Sequence, residues 1–217
     1  MRLPAFRSIQ ANLARHGWVL VRQSSLETMK ELASTLGGRS VNSGHAILRP
    51  KSVMESRSGT FSALVGLGQQ PFHTDAAHWA IPPRFLLLQH MDGETTTPTW
   101  ILDIGSPFFL RLRCAMRRSS WLVVGRRLRF LTSGLADVGG EPCLRFDPIC
   151  MKPMDTFARR CRSSLLRIDL LRKAIPVQWR KNATLVLDNW RVLHARGAVD
   201  SSSTRILCRA YVEGANA

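Results

Sequence analysis

The stretch that decides the reading is Phe72-His73-Thr74-Asp75, followed by Pro82-Pro83 and then Arg84-Phe85-Leu86-Leu87-Leu88-Gln89-His90. It reads as the end of a strand, an extended turn forced by the two prolines, and a buried strand closed by Asp92-Gly93. In extended backbone, residues i and i+2 project from one face, so the imidazole of His73 and the carboxylate of Asp75 can reach a common metal ion. Two side chains are too few to hold such an ion. A third candidate, His194, comes soon after the apolar run Leu185-Val186-Leu187-Asp188.

Outward from this stretch, short strands alternate with turn signals. Residues 99–103 read as a strand, Pro107 opens a helix to about Met116, and residues 121–124 and 127–131 read as a hairpin about Gly125. Toward the N-terminus, residues 17–21 read as a strand. Ser24 is the expected cap of a helix, with Glu27 reaching back to it, and Met29, Leu32 and Leu36 continue at helical spacing to the stop Gly37-Gly38. Residues 39–62 are rich in Ser, Arg and Gly and read as loop with one short strand at most, the kind of segment that forms an active-site lid. Leu144-Arg145-Phe146-Asp147 reads as a short strand, and Asp155 as the start of a helix continuing past Leu171 to Pro176. Residues 177–179 and 183–190 read as strands paired about Lys181-Asn182, and residues 204–212 as the last strand. This pattern predicts a mainly β fold with helical additions, a β-sandwich or jelly roll, with residues 1–217 as one domain.

Two histidines and one carboxylate on one face of a metal leave positions open, the arrangement of the non-haem Fe(II) oxygenases. Arg205 lies eleven residues after His194, and Arg209 four residues later. On one strand the two arginines share a face, and a buried guanidinium there calls for an anion, which its planar fork grips bidentately.

With these residues in view, the sequence resembles the taurine dioxygenase (TauD/TfdA-like) family of Fe(II)/2-oxoglutarate-dependent oxygenases. His73-Thr74-Asp75, with Pro82-Pro83 nine and ten residues on, is similar to the family's first motif. Asp188-Asn189-Trp190-Arg191-Val192-Leu193-His194-Ala195-Arg196 is similar to its second iron motif. The resemblance implies a double-stranded β-helix, His73, Asp75 and His194 as iron ligands and catalytic centre, and 2-oxoglutarate as co-substrate held by Arg205 and the Thr99 hydroxyl. It also implies oxygen as the oxidant, succinate and CO2 as products, and Arg209 as the partner of an anionic group on a small-molecule substrate. The chain is short for the family, and residues 104–180 align poorly with it, which leaves the substrate open. Trp79, just past the ligand loop, and Gln69, just before the motif, are further candidates for substrate contact, as are His78 and His45. Asp188 and Asn189 are expected to orient the backbone before His194, and Arg196 to tie down that loop.

Composition narrows the classes. The chain has 31 Lys+Arg, 26 of them Arg, against 15 Asp+Glu, for a net charge of +16. The excess is spread along the chain and densest over Arg111, Arg113, Arg117, Arg118, Arg126, Arg127 and Arg129. A solvated basic face is one reading. An alkylated nucleic-acid demethylase of the same cofactor class, or a non-catalytic basic binding protein, are the alternatives. The five cysteines form no C-x-x-C pair, which speaks against a disulfide framework or a cysteine zinc site. Absence of a long apolar run and of an apolar leader predicts a cytoplasmic protein without membrane association.

Overall fold

The computed structural model describes residues 3–37 and 40–213, the side chains of residues 3–5, 40–45 and 168 excepted. Gly38 and the side chain of His45, singled out above, lie outside the described residues. The N-terminal elements are α1 (Leu3–His16), β1 (Trp18–Val21), α2 (Leu26–Thr35), β2 (Ser40–Leu48) and α3 (Phe61–Val65). The middle of the chain forms β3 (Phe85–Asp92), β4 (Thr99–Asp103), α4 (Pro107–Arg118), β5 (Trp121–Val124), β6 (Arg129–Thr132), β7 (Leu135–Val138), β8 (Glu141–Leu144) and β9 (Met151–Pro153). After α5 (Thr156–Leu165) and a 3-10 helix at Ile168–Lys173 come β10 (Ile175–Val177), β11 (Thr184–Asp188), β12 (Val192–Arg196) and β13 (Ile206–Val212).

Two antiparallel sheets frame the site. One has the order β1-β11-β3-β13-β2, and the other β10-β4-β12. Strands β3 and β11 are apolar at successive positions because both faces of the larger sheet are covered. Leu87, Val186, Cys208, Ala210 and Val212 pack beneath Ile9 and Leu13 of α1 and Met29 and Leu32 of α2. On the other face, Leu86, Leu88, Leu185, Leu187 and Leu207 meet Ile101, Val177 and Val192 of the smaller sheet. The outer face of that sheet, through Leu102, Leu193 and Ala195, is covered by α4, α5 and the β5–β9 region around Trp121 and Phe146. Strand alternation then turns Thr99, His194 and Arg196 inward beside Ile101 and Val192, since His194 pairs with Ile101 and Arg196 with Thr99. The jelly-roll expectation is met: the architecture is the double-stranded β-helix flanked by helices.

Several local expectations are corrected. The helix α1 had no counterpart in the sequence reading. The cap of α2 is Ser25, whose Oγ accepts the Thr28 N–H at 3.1 Å. The Ser24 hydroxyl is buried and bonded to Thr184 Oγ1 at 2.5 Å. Strand β2 is nine residues long, because an edge strand needs only its backbone to pair with β13. Residues 144–147 do not form a strand of their own; β8 ends at Leu144. Helix α5, capped by Asp155, stops at Leu165 and gives way to the 3-10 turn. The segments expected to pair about Lys181-Asn182 lie in different sheets: β10 pairs with β4, and β11 with β1 and β3.

Gly93 shows how tightly the site's edge is built. Its φ is +85°, and a Cβ there would collide with the Thr204 carbonyl and the Arg205 backbone nitrogen. Only glycine lets the end of β3 pass the segment that carries Arg205. Substituting the true cap, Ser25→Ala, should cost about 1 kcal/mol of unfolding free energy in urea titrations.

Candidate metal centre

His73 and His194 face each other as an isolated antiparallel bridge pair. His73 N donates to the His194 carbonyl at 3.0 Å, and His194 N to the His73 carbonyl at 2.9 Å. This exchange brings the ring centroids to 4.3 Å. After His73 the chain leaves extended geometry. Asp75 opens a turn whose second residue, Ala76, has φ +55°. The expectation that His73 and Asp75 share one strand face is therefore replaced by a bridge followed by a tight turn. A non-glycine residue in the left-handed region costs on the order of 1 kcal/mol and persists only when its surroundings fix it. Asn189 fixes this one: its Oδ1 accepts the Asp75 N–H at 2.8 Å, and its Nδ2 donates to the carbonyls of Asp75 and Pro83, both at 3.0 Å. Asp188 Oδ1 in turn accepts the Trp190 N–H at 3.1 Å.

Asp75 Oδ1 lies 3.4 Å from His73 Nε2 and 3.6 Å from His194 Nε2. One ligand atom from each of the three residues falls within 4.8 Å of the others. His73 Nδ1 is 2.8 Å from the Pro71 carbonyl, so the proton sits there and Nε2 offers its lone pair to the site. Burial, aided by the neighbouring His73, lowers the His194 pKa against the pull of Asp75, which favours the neutral imidazole that a metal needs. Burial alone would raise the Asp75 pKa, but the Arg209 guanidinium holds it well below the usual carboxylate range. Two imidazoles and one ionised carboxylate are a donor set suited to a ferrous ion.

The other oxygen of Asp75, Oδ2, accepts from Arg209 Nη1 at 3.2 Å and from Tyr211 Oη at 2.9 Å. Arg209, expected to wait for a substrate anion, is thus engaged with a candidate ligand, while its Nε is buried without a partner. Burial and Asp75 push the Tyr211 pKa far up, so the phenol stays a neutral donor.

Arg205 is buried, 5% exposed, and donates to the Thr97 carbonyl at 2.9 Å. It has no ion-pair partner within 4.0 Å among the described residues. Burial and the nearby Arg205 lower the Arg196 pKa to about 10. A buried, under-neutralised cationic corner of this kind fits a carboxylate. Thr99, also buried, accepts the Trp179 Nε1 proton at 3.1 Å, which leaves its own hydroxyl proton free to donate.

Trp79 is half-buried and packs edge-on against Tyr211 at 5.6 Å, whereas Gln69 and His78 are exposed. Arg196 does tie a loop, donating to the carbonyls of Gly66 and Gly68. Sequence reasoning passed over Arg145, whose buried guanidinium donates to the carbonyls of Ala77, Trp79 and Ala80 and so fastens the ligand loop. It also missed Phe61 of α3, whose ring lies 4.0 Å from that of His73, and Tyr211. None of the three stands in a motif; only the folded chain brings them to the site.

Residues 168–211 match the family described as taurine catabolism dioxygenase TauD, TfdA family. No curated protein sequence matches the chain. Among solved structures, the fold is similar to an asparagine oxygenase in complex with Fe(II), 3-hydroxyasparagine and succinate, with TM-score 0.75, 16% identity, and coverage of 98% of this chain and 80% of that one. It is also similar to the non-heme iron oxygenase OrfP in complex with Fe and alpha-ketoglutaric acid (TM-score 0.70, 17% identity, 99% and 81% coverage). PvcB from Pseudomonas aeruginosa matches with TM-score 0.66, 18% identity, and 96% and 79% coverage. These findings agree with the resemblance drawn from the sequence. The fold is that of these solved oxygenases, and His73, Asp75 and His194 form a group able to hold a metal ion.

Asp188 allows a stability test. Burial, opposed by Arg84, the Trp190 N–H and Arg191, raises its pKa from 3.8 to about 6. Between those values the folded chain holds a proton that the unfolded chain releases, so wild-type stability falls as pH rises through that window and is level above it. The loss is at most about 3 kcal/mol. Asp188→Asn, whose amide oxygen can keep the Trp190 hydrogen bond, should lack this loss, so its stability relative to wild type should climb between about pH 4 and pH 6 in urea unfolding.

Proposed function

We propose that the chain is an Fe(II)- and 2-oxoglutarate-dependent dioxygenase that oxidises, most simply by hydroxylation, a C–H bond of a small polar or anionic metabolite. The observation that carries this reading is the convergence of His73 Nε2 and His194 Nε2 on one oxygen of Asp75 in a buried pocket, at 3.4 and 3.6 Å. When bound, the iron supplies open positions for oxygen and the co-substrate, and 2-oxoglutarate supplies two electrons as it becomes succinate and CO2.

The chain's own part is binding and orientation. His73, Asp75 and His194 hold the ion, with Nδ1–H of His73 anchored on the Pro71 carbonyl. Arg205 would hold the far carboxylate of 2-oxoglutarate, and the Thr99 hydroxyl would donate its free proton to the same group. Phe61 packs on the His73 ring at 4.0 Å, and Trp79 on Tyr211 at 5.6 Å, so both ligand-side groups are braced by aromatic rings. Trp79 and Gln69 are the candidate substrate contacts, and the buried, unpartnered Nε of Arg209 offers a donor to an anionic group. The asparagine oxygenase and OrfP structures contain hydroxylated amino acids, which supports α-amino acids as the first substrates to screen. All five cysteines are free thiols, which supports a reducing, cytoplasmic setting. No helix of the described residues is long and apolar enough to cross a membrane.

Anaerobically prepared protein given Fe(II), 2-oxoglutarate, oxygen and a panel of amino acids should release succinate in step with hydroxylated product. Asp75→Ala should abolish product formation, and Arg205→Leu should raise the KM for 2-oxoglutarate by at least 10-fold, as expected for loss of a charge-assisted bond. Product formation by Asp75→Ala at the wild-type rate would refute the reading.

A further inference from the structure

Tyr211 is the only tyrosine in the chain. It stands two residues beyond Arg209 on β13, so both side chains leave the strand on the inner face. Its hydroxyl and Arg209 Nη1 share Asp75 Oδ2, at 2.9 and 3.2 Å. The ring is held in turn: Trp79 meets it edge-on at 5.6 Å and 72°, and the Arg209 guanidinium lies over it at 4.8 Å. A carboxylate with a free outer oxygen can rotate and offer both oxygens to a cation. With Oδ2 taken by two donors, only Oδ1 faces the imidazole nitrogens of His73 and His194.

We propose that Tyr211 is a positioning residue of the metal centre: with Arg209 it holds Asp75 to ligation through Oδ1 alone, which keeps the remaining positions open. This rests on the iron-site reading above. The phenol is the more selective of the two donors. Arg209 is a charged group whose side chain is 29% exposed, and it can follow the carboxylate as it turns. Tyr211, braced edge-on by Trp79, cannot. The geometry also ties the rim to the ligand, since anything that moves the half-buried Trp79 ring presses on the phenol that fixes Asp75.

The test is an anaerobic titration of the full chain with Co(II), which occupies such sites and reports its coordination in visible absorption. Tyr211→Phe keeps the ring against Trp79 and removes only the hydroxyl. It should bind Co(II) roughly 10–100-fold more weakly, the usual loss when a hydrogen-bond partner of a metal ligand is deleted. Its visible bands should change as the second carboxylate oxygen enters, with the metal-free melting temperature little altered. Equal affinity and identical bands in the two proteins overturn the proposal. Should Tyr211→Phe fail to fold, 3-fluorotyrosine incorporated into the wild type gives one fluorine resonance, which must shift on adding Zn(II); an unmoved resonance in Zn(II)-loaded protein overturns the proposal as well. Wild type that takes up neither metal overturns the iron-site reading itself, an outcome distinct from a variant that matches wild type.

Discussion

The paired backbone hydrogen bonds between His73 and His194 are the constraint from which the site follows. They join a loop near the first third of the chain to β12 near its end, and they leave the two rings no freedom to separate. The carboxylate then has to be delivered to the same point by a chain that has just left the bridge. It does so through a turn with a left-handed alanine, which Asn189 of the opposite motif holds by two hydrogen bonds to Asp75, with a third to the Pro83 carbonyl. Each motif thus supplies both a ligand and the support of the other motif's ligand.

Around this point the structure keeps charges where apolar burial alone would expel them. Arg145 is satisfied by three carbonyls of the ligand loop, and Arg209 is paired through Nη1 with Asp75. Arg205 has one carbonyl and, among the described residues, no ion pair, although Glu94 lies near enough to raise its pKa. A buried guanidinium left in that state costs several kcal/mol unless an anion joins it. The contrast separates arginines that hold the scaffold from one whose charge is left largely uncompensated. The basic surface does not make this distinction, since Arg111, Arg113 and Arg117 on α4 are solvated.

The elements most legible in the sequence were those set by local signals. Strand β4 and the start of α4 at Ser106-Pro107 fall where apolar runs and helix signals put them, and β5 and β6 pair as the hairpin about Gly125. Strand pairing was less legible. Residues 175–177 and 184–188 are near in sequence, yet each joins a different sheet, because partners are chosen by which face the whole barrel buries. Helix α5 ends early for a similar reason: Leu165 fills the core and Leu166 faces solvent, so little burial rewards another turn.

For the candidate site, the clustering of His73, Asp75 and His194 could be anticipated from motif and spacing, since those residue types carry their chemistry wherever the chain takes them. Tyr211, Arg145 and Phe61 could not, because a phenol, a guanidinium and a phenyl ring acquire these tasks only from what lies within a few ångströms. The sequence by itself determined which atoms are able to bind a metal and an anion, and that the chain folds as paired sheets with helices outside. The tertiary structure alone decided which oxygen of Asp75 faces the imidazoles and which is held by Arg209 and Tyr211. That choice depends on contacts between residues more than a hundred positions apart, and no local pattern encodes them.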